Sequence, residues 1–160
     1  MRQRQLLVLG FLVLASCGTA ELAEALVGPT AERLSERSEE VGLKLAPADA
    51  ECASRRLDEP TATLLAADDE LDAVVARTVS VAIVGCAGAD AIARSALNPF
   101  TAGASESSVA CAADRVDQRL LEDLLAGQLV RNPLPDAEVE LAVVTAVSLC
   151  MDLDELRGRG

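Results

Sequence analysis

The stretch that decides the fold is Leu71-Asp72-Ala73-Val74-Val75-Ala76-Arg77-Thr78-Val79-Ser80-Val81-Ala82-Ile83-Val84-Gly85-Cys86. Leu71, Val74, Val75, Thr78, Val79, Ala82, Ile83 and Cys86 recur at the i, i+3, i+4 spacing of one helical face. Asp68, Asp69 and Glu70 place negative charge where a helix N-terminus favours it, and Gly85 and Gly88 mark the end. A buried strand over Val79 to Val84 is the rival, because β-branched residues dominate there. The length of the amphipathic run and its acidic start favour helix.

A second copy of this stretch follows. Asp72 to Cys86 aligns without gaps to Asp136 to Cys150, with six identities in fifteen. Upstream, Cys52-Ala53-Ser54-Arg55-Arg56-Leu57-Asp58 aligns to Cys111-Ala112-Ala113-Asp114-Arg115-Val116-Asp117, with four identities in seven. Leu64-Leu65-Ala66 matches Leu124-Leu125-Ala126, and the extra residues of the second copy fall at Leu129 to Pro135. A cysteine at each end of both copies reads as a tandem duplication. In the second copy Pro135 and Asp136 open the helix, and Val139, Val143, Ala146, Val147 and Cys150 line one face.

The remaining segments also read as helix. Thr30 to Val41 is a helix stopped by Gly42, and Pro47 opens the helix carrying Cys52. Val109, Ala113, Val116, Leu120, Leu121 and Leu124 form another helical face, and Asn98 to Ser108, with Pro99 and Gly103, reads as a linker. The expected fold is therefore all-α: two tandem disulfide-stapled helical units packed as one small bundle. The expected organisation is a signal segment at 1–16, an anchored N-terminal segment at 17–29, unit 1 at 30–97, the linker at 98–108 and unit 2 at 109–160.

The 160 residues carry a net charge of -12, with two Phe and no His, Trp or Tyr. Without His there is no Ser-His or Cys-His relay and no imidazole ligand. So few rings give bases nothing to stack on, and the acidic balance opposes phosphate binding, so nucleic acid is not an expected partner. Arg outnumbers Lys 13 to 1, which reads as a GC-rich coding bias.

Met1-Arg2-Gln3-Arg4, the apolar run Leu6 to Leu14 and the small residues that follow read as a secretory signal peptide. The run is too short for a comfortable membrane span. Leu14-Ala15-Ser16-Cys17 resembles the lipobox of bacterial lipoproteins. That resemblance implies alkylation of the Cys17 thiol by diacylglycerol, cleavage before it, further acylation such as palmitate, and a protein held at the outer face of the cell membrane. Cleavage after Gly18-Thr19-Ala20 is the alternative. Parity favours the lipobox, since committing Cys17 to lipid leaves four cysteines for an oxidising compartment. The mature chain would hold 12 basic against 26 acidic residues, so its body should stand off an anionic membrane surface.

Cys52, Cys86, Cys111 and Cys150 can pair in three ways. Duplication makes Cys52–Cys86 and Cys111–Cys150 the simplest, because one ancestral unit would have needed its own bridge. Each closed loop contributes roughly 3–4 kcal/mol on chain entropy. One point resists: on a straight helix Cys111 lies away from the stripe through Val109 and Val116, so either the helix starts at the Cys or the bridge sits on its flank. A four-thiol zinc site is disfavoured, since no C-x-x-C pair occurs, and no residue supplies a base for a catalytic thiol. Asp68-Asp69-Glu70 with Asp72, and Asp152-Leu153-Asp154-Glu155, lack the ligand order of an EF-hand and read as helix-terminal charge.

Pro47-Ala48-Asp49-Ala50-Glu51-Cys52-Ala53 and Cys150-Met151-Asp152-Leu153 resemble small secreted helical proteins of actinobacteria, a resemblance that brings no activity with it. The expected function is non-catalytic: a lipid-anchored binding or interaction module at the cell envelope, without cofactor or metal, meeting a basic or envelope protein. A carrier of lipid or a small apolar ligand and a carboxylate-dependent hydrolase are the alternatives.

Overall fold

The computed structural model describes residues 24–130, 137–152 and 154–155. Among these every regular element is a helix: α1 (Glu24–Glu40), α2 (Pro47–Arg56), α3 (Glu59–Ala66), α4 (Ala73–Ala87), α5 (Ala89–Ala96), α6 (Asn98–Thr101), α7 (Glu106–Arg115), α8 (Gln118–Leu129) and α9 (Ala137–Ser148). The all-α expectation holds, and Val79 to Val84 is helical rather than strand.

The duplication is visible in the way the chain is punctuated. α2 stops at Leu57 and α7 at Val116, both extended and buried. The N–H of Leu57 bonds back to Ser54 and that of Val116 to Ala113. The next residue, Asp58 or Asp117, then caps the following helix: Asp58 accepts the Thr61 N–H at 3.0 Å and Asp117 the Leu120 N–H at 2.8 Å. The expected single helical face from Val109 to Leu124 is therefore two helices, α7 and α8. The Asp117 carboxylate offers the chain an N-cap that outcompetes continuation. In the segment 98–108, α6 occupies Asn98–Thr101 and α7 begins at Glu106 behind the N-cap Ser105.

α1 begins at Glu24, six residues before the expected start, and runs through Pro29. Proline removes one helical N–H, yet tertiary contacts hold this turn. Val27 and Thr30 are buried, Ser54 Oγ donates to the Val27 carbonyl at 2.9 Å, and Thr30 Oγ1 donates to the Ala62 carbonyl at 3.3 Å. These two hydroxyls tie α1 to α2 and α3. At the other end Gly42 takes φ 78°, and the Leu43 N–H reaches the Ser38 carbonyl at 2.7 Å, a Schellman stop. Asp68 adopts the same left-handed geometry (φ 58°) after α3. The buried Arg37 holds that turn by donating to Asp68 Oδ1 and to the Asp69 carbonyl.

α4 is the central helix, covered by α2 on one side and α8 on another. Its buried residues are Ala76, Val79, Ser80, Ala82, Ile83 and Val84. The expected face is thus rotated: Val74 is 75% exposed and Thr78 is exposed, while Ala76, Ser80 and Val84 are inside. A stripe fit to hydrophobicity alone places one partner, whereas α4 has two. Ser80 is tolerated inside because its hydroxyl donates to the Arg77 carbonyl at 2.8 Å. The helix runs past Gly85 and is stopped by Gly88 (φ 84°). α5 packs on α7 and α8 as well as on α4, so the second unit is roofed by α5 as the first is by α1.

Ser80→Leu, which overfills the α4–α8 contact, should cost about 1–3 kcal/mol. Asp117→Ala should cost about 1 kcal/mol, and Val74→Ala less than about 0.5 kcal/mol. Urea unfolding of the three variants measures this order; a large effect at Val74 with none at Ser80 would reverse the rotation described for α4.

Candidate interaction surface

The four cysteines form two bridges, Cys52–Cys86 and Cys111–Cys150, with Cα–Cα distances of 5.8 and 5.6 Å. Each joins the first helix of a unit to the end of its last helix, α2 to α4 and α7 to just beyond α9. All four are half-buried. Because α7 ends at Arg115, measuring Cys111 against Val116 on one straight helix does not apply. Within α7 the buried residues are Ser108 and Ala112, and the bridge leaves from their flank. With the sulfurs joined in pairs, none is a thiolate for zinc. Cys17 lies outside the described residues. Among those described, no group of three or more His, Cys, Asp or Glu side chains could hold a metal ion.

In each acidic cluster one aspartate caps the backbone that follows it. Asp72 accepts the N–H groups of Val74 and Val75, both at 2.8 Å. Asp152 accepts those of Asp154 and Glu155 at 2.9 and 2.8 Å. Glu155 reaches across to the start of α7, accepting the Ser105 N–H at 2.6 Å, the Ser108 hydroxyl at 2.8 Å and the Asp152 N–H at 3.0 Å. Hydrogen bonds from Ser105 above all, then Ser108 and Asp152, lower its carboxyl from 4.5 to about 2. Arg55 bridges Glu24 of α1 and Glu51 of α2. Its hydrogen bonds to Glu24 and then Glu51 raise the guanidinium further, and the same contact lowers Glu24.

Three open depressions lie on the outer side of α4, α8 and α9. The first, about 320 Å³, is lined by Arg56, Arg77, Thr78, Val81 and Ala82. Another, about 540 Å³, includes Arg115, Leu141, Ala142, Thr145 and Ala146. Those ten residues pair one for one in the repeat alignment, so the two depressions are the same place in the two units. The third, about 460 Å³, lies between them. It shares Leu120, Glu138 and Ala142 with the 540 Å³ groove, and its Asp123 ion-pairs with Arg77 of the first. The 460 and 540 Å³ depressions are thus contiguous, and the ion pair ties the first to their rim. The two units differ at one decisive point. In unit 1 the Arg56 guanidinium lies so close over Gly85 that a Cβ there would sit 2.5 Å from Nη1. The equivalent of Gly85 is Leu149, which is 64% exposed. Leu141, 67% exposed, and Val144 lie on the outward side of α9 among the exposed Glu138, Glu140, Thr145 and Ser148, and Leu149 follows just beyond the helix. The inward face of α9, Val139, Val143, Ala146, Val147 and Cys150, is packed on the core as its spacing predicts. The outward residues fall off that stripe, and the only sign of them in the sequence is that α9 is apolar nearly all round.

No family model, curated protein or solved structure matches the chain.

Glu155 gives the start of α7 a pH signature. Its folded value lies below its ordinary one, so its contribution is complete above pH 4.5 and fades as pH falls towards 2. Thermal melts across that window should show Glu155→Gln losing less stability than the parent chain on acidification, because the variant has already lost this contribution. Parallel curves would show that the carboxylate does not cap α7 in solution.

Proposed function

We propose that this chain is a non-catalytic interaction module held by lipid on Cys17 at the extracytoplasmic face of the cell membrane. The observation that carries the binding role is the exposure of Leu141 and Val144 on a helix whose other face is packed on the core, with the exposed Leu149 just beyond its end. Exposed contiguous apolar side chains rimmed by polar ones are the usual mark of a protein interface. Two intramolecular bridges fit an oxidising compartment. The lipobox-like Leu14-Ala15-Ser16-Cys17 supports the route there.

Among the described residues no single helix is long and apolar enough to cross a membrane, and α4 with α5 pass such a test only as a pair bent by 120°. Both helices are needed in the core, where Val79 and Ile83 of α4 and Ile92 and Ala96 of α5 are buried. The lipid is therefore the proposed anchor, and two or three acyl chains give stable attachment where one does not. The acidic body keeps the module clear of the membrane surface and favours partners carrying positive charge, with association weakened by salt. A carrier of a small apolar ligand is the second reading, favoured by the Leu120, Leu141 and Leu149 walls of the 540 Å³ groove. It predicts binding of a fatty acid or apolar dye that salt leaves unchanged.

Intact mass of the membrane fraction tests the first reading. It should show a chain beginning at Cys17 with added acyl mass, and no alkylatable thiol until reductant is added. Cys17→Ser should move the protein to the soluble fraction with both bridges still closed. A parent chain found soluble inside the cell with its signal segment attached and titratable thiols would overturn it.

A further inference from the structure

α4 and α9 are the same helix in the two units, yet they are not covered alike. Positions 79, 82 and 83 of α4 and their equivalents 143, 146 and 147 of α9 are buried in both, facing the helix that shares the bridge. The row Ala76, Ser80 and Val84, four residues apart along one side of α4, is also buried, in the helix that α8 covers. Its equivalents on α9 are Glu140, Val144 and Ser148, and all three are exposed. Leu141, beside that row, replaces Arg77 and adds apolar surface where α4 carried a charge. A helix that is apolar nearly all round belongs between two partners. A terminal repeat normally closes its stack with a polar outer face. α9 does neither.

We infer that the outward side of α9, centred on Leu141 and Val144, is the docking site for a basic amphipathic helix of a protein partner. This rests on the interaction-module reading above and names its site and partner class. The shape follows from the first unit, where the equivalent row is buried and Arg77 beside it is ion-paired to Asp123 of α8. The charge follows from the exposed Glu140 on a helix with no Lys or Arg between Ala137 and Ser148, in a chain of net charge -12. A second copy docking through the same side would oppose like charges, which costs association. Leu141 and Val144 would enter the partner's apolar stripe, as anchors do in helix-in-groove recognition. Glu140, at the edge of the row, would meet its lysines or arginines.

The test uses the full mature chain with both bridges closed. The probe is a fluorescent leucine–lysine peptide patterned as an amphipathic helix, with a leucine–glutamate peptide of the same pattern as control. The lysine peptide should bind, more weakly as salt rises, and the glutamate peptide should not. Leu141→Lys with Val144→Lys should weaken binding about tenfold or more. Val74→Lys with Thr78→Lys, the same charge change on exposed positions of α4, should weaken it less than about threefold. Circular dichroism and the absence of free thiols establish that both variants are folded. Equal weakening by the two pairs would show that net charge alone attracts the peptide, and would overturn the site. So would failure of the lysine peptide to bind, or a parent dimer that the α9 pair dissociates. In each case the anchored-module reading survives or falls separately, on the fractionation of Cys17→Ser.

Discussion

The structure depends on α4 being buried along two sides at once. Ala76 and Ser80 are buried along one side, while Val79 and Ile83 are buried on the side whose Cys86 is bridged to α2. The Cys52–Cys86 bridge and the Asp72 cap fix where α4 begins and which way it is turned. With α4 set, α8 is set, and with α8 the second unit. An alanine-rich core with Phe100 as the one ring among the described residues gains modest area per residue. Two bridges that restrict the unfolded chain then carry a large share of the stability.

Duplication explains more of the architecture than the cysteines alone. Each unit has a bridge helix, an apolar residue, an aspartate cap, a second helix and a return helix to the other cysteine. The same local chemistry is written twice: Leu57-Asp58 and Val116-Asp117 break the chain by the same competition between a side-chain oxygen and the next turn's carbonyls. The copies diverge where their surroundings differ. Gly85 admits the Arg56 side chain across α4, whereas Leu149 stands clear of the surface. The row that α8 covers in one unit is open in the other. A row that packs in one copy is thus left exposed in the second.

Much of the fold could be read along the chain. The helical period of 71–86, the stop at Gly42 and the Pro47 start are local signals, and each stands in the structure. The pairing of the cysteines followed from the repeat. Other features left no local trace. Pro29 lies inside α1 because Ser54 and Thr30 make hydroxyl bonds between helices that no window of residues contains. Glu155 caps α7 from fifty residues away. The exposed apolar residues of α9 were legible only as a surplus off the core stripe, since the sequence marks apolar character without saying which face meets solvent.

Composition, period and repeat determined that this chain is helical, duplicated and paired through its cysteines, because those properties rest on spacing within one turn or on equivalence between copies. The rotation of α4, the break between α7 and α8 and the uncovered side of α9 were settled only by tertiary packing. A helix apolar on more than one side satisfies its local energetics in many rotations. Which of its faces is buried is decided by the neighbours that close over it.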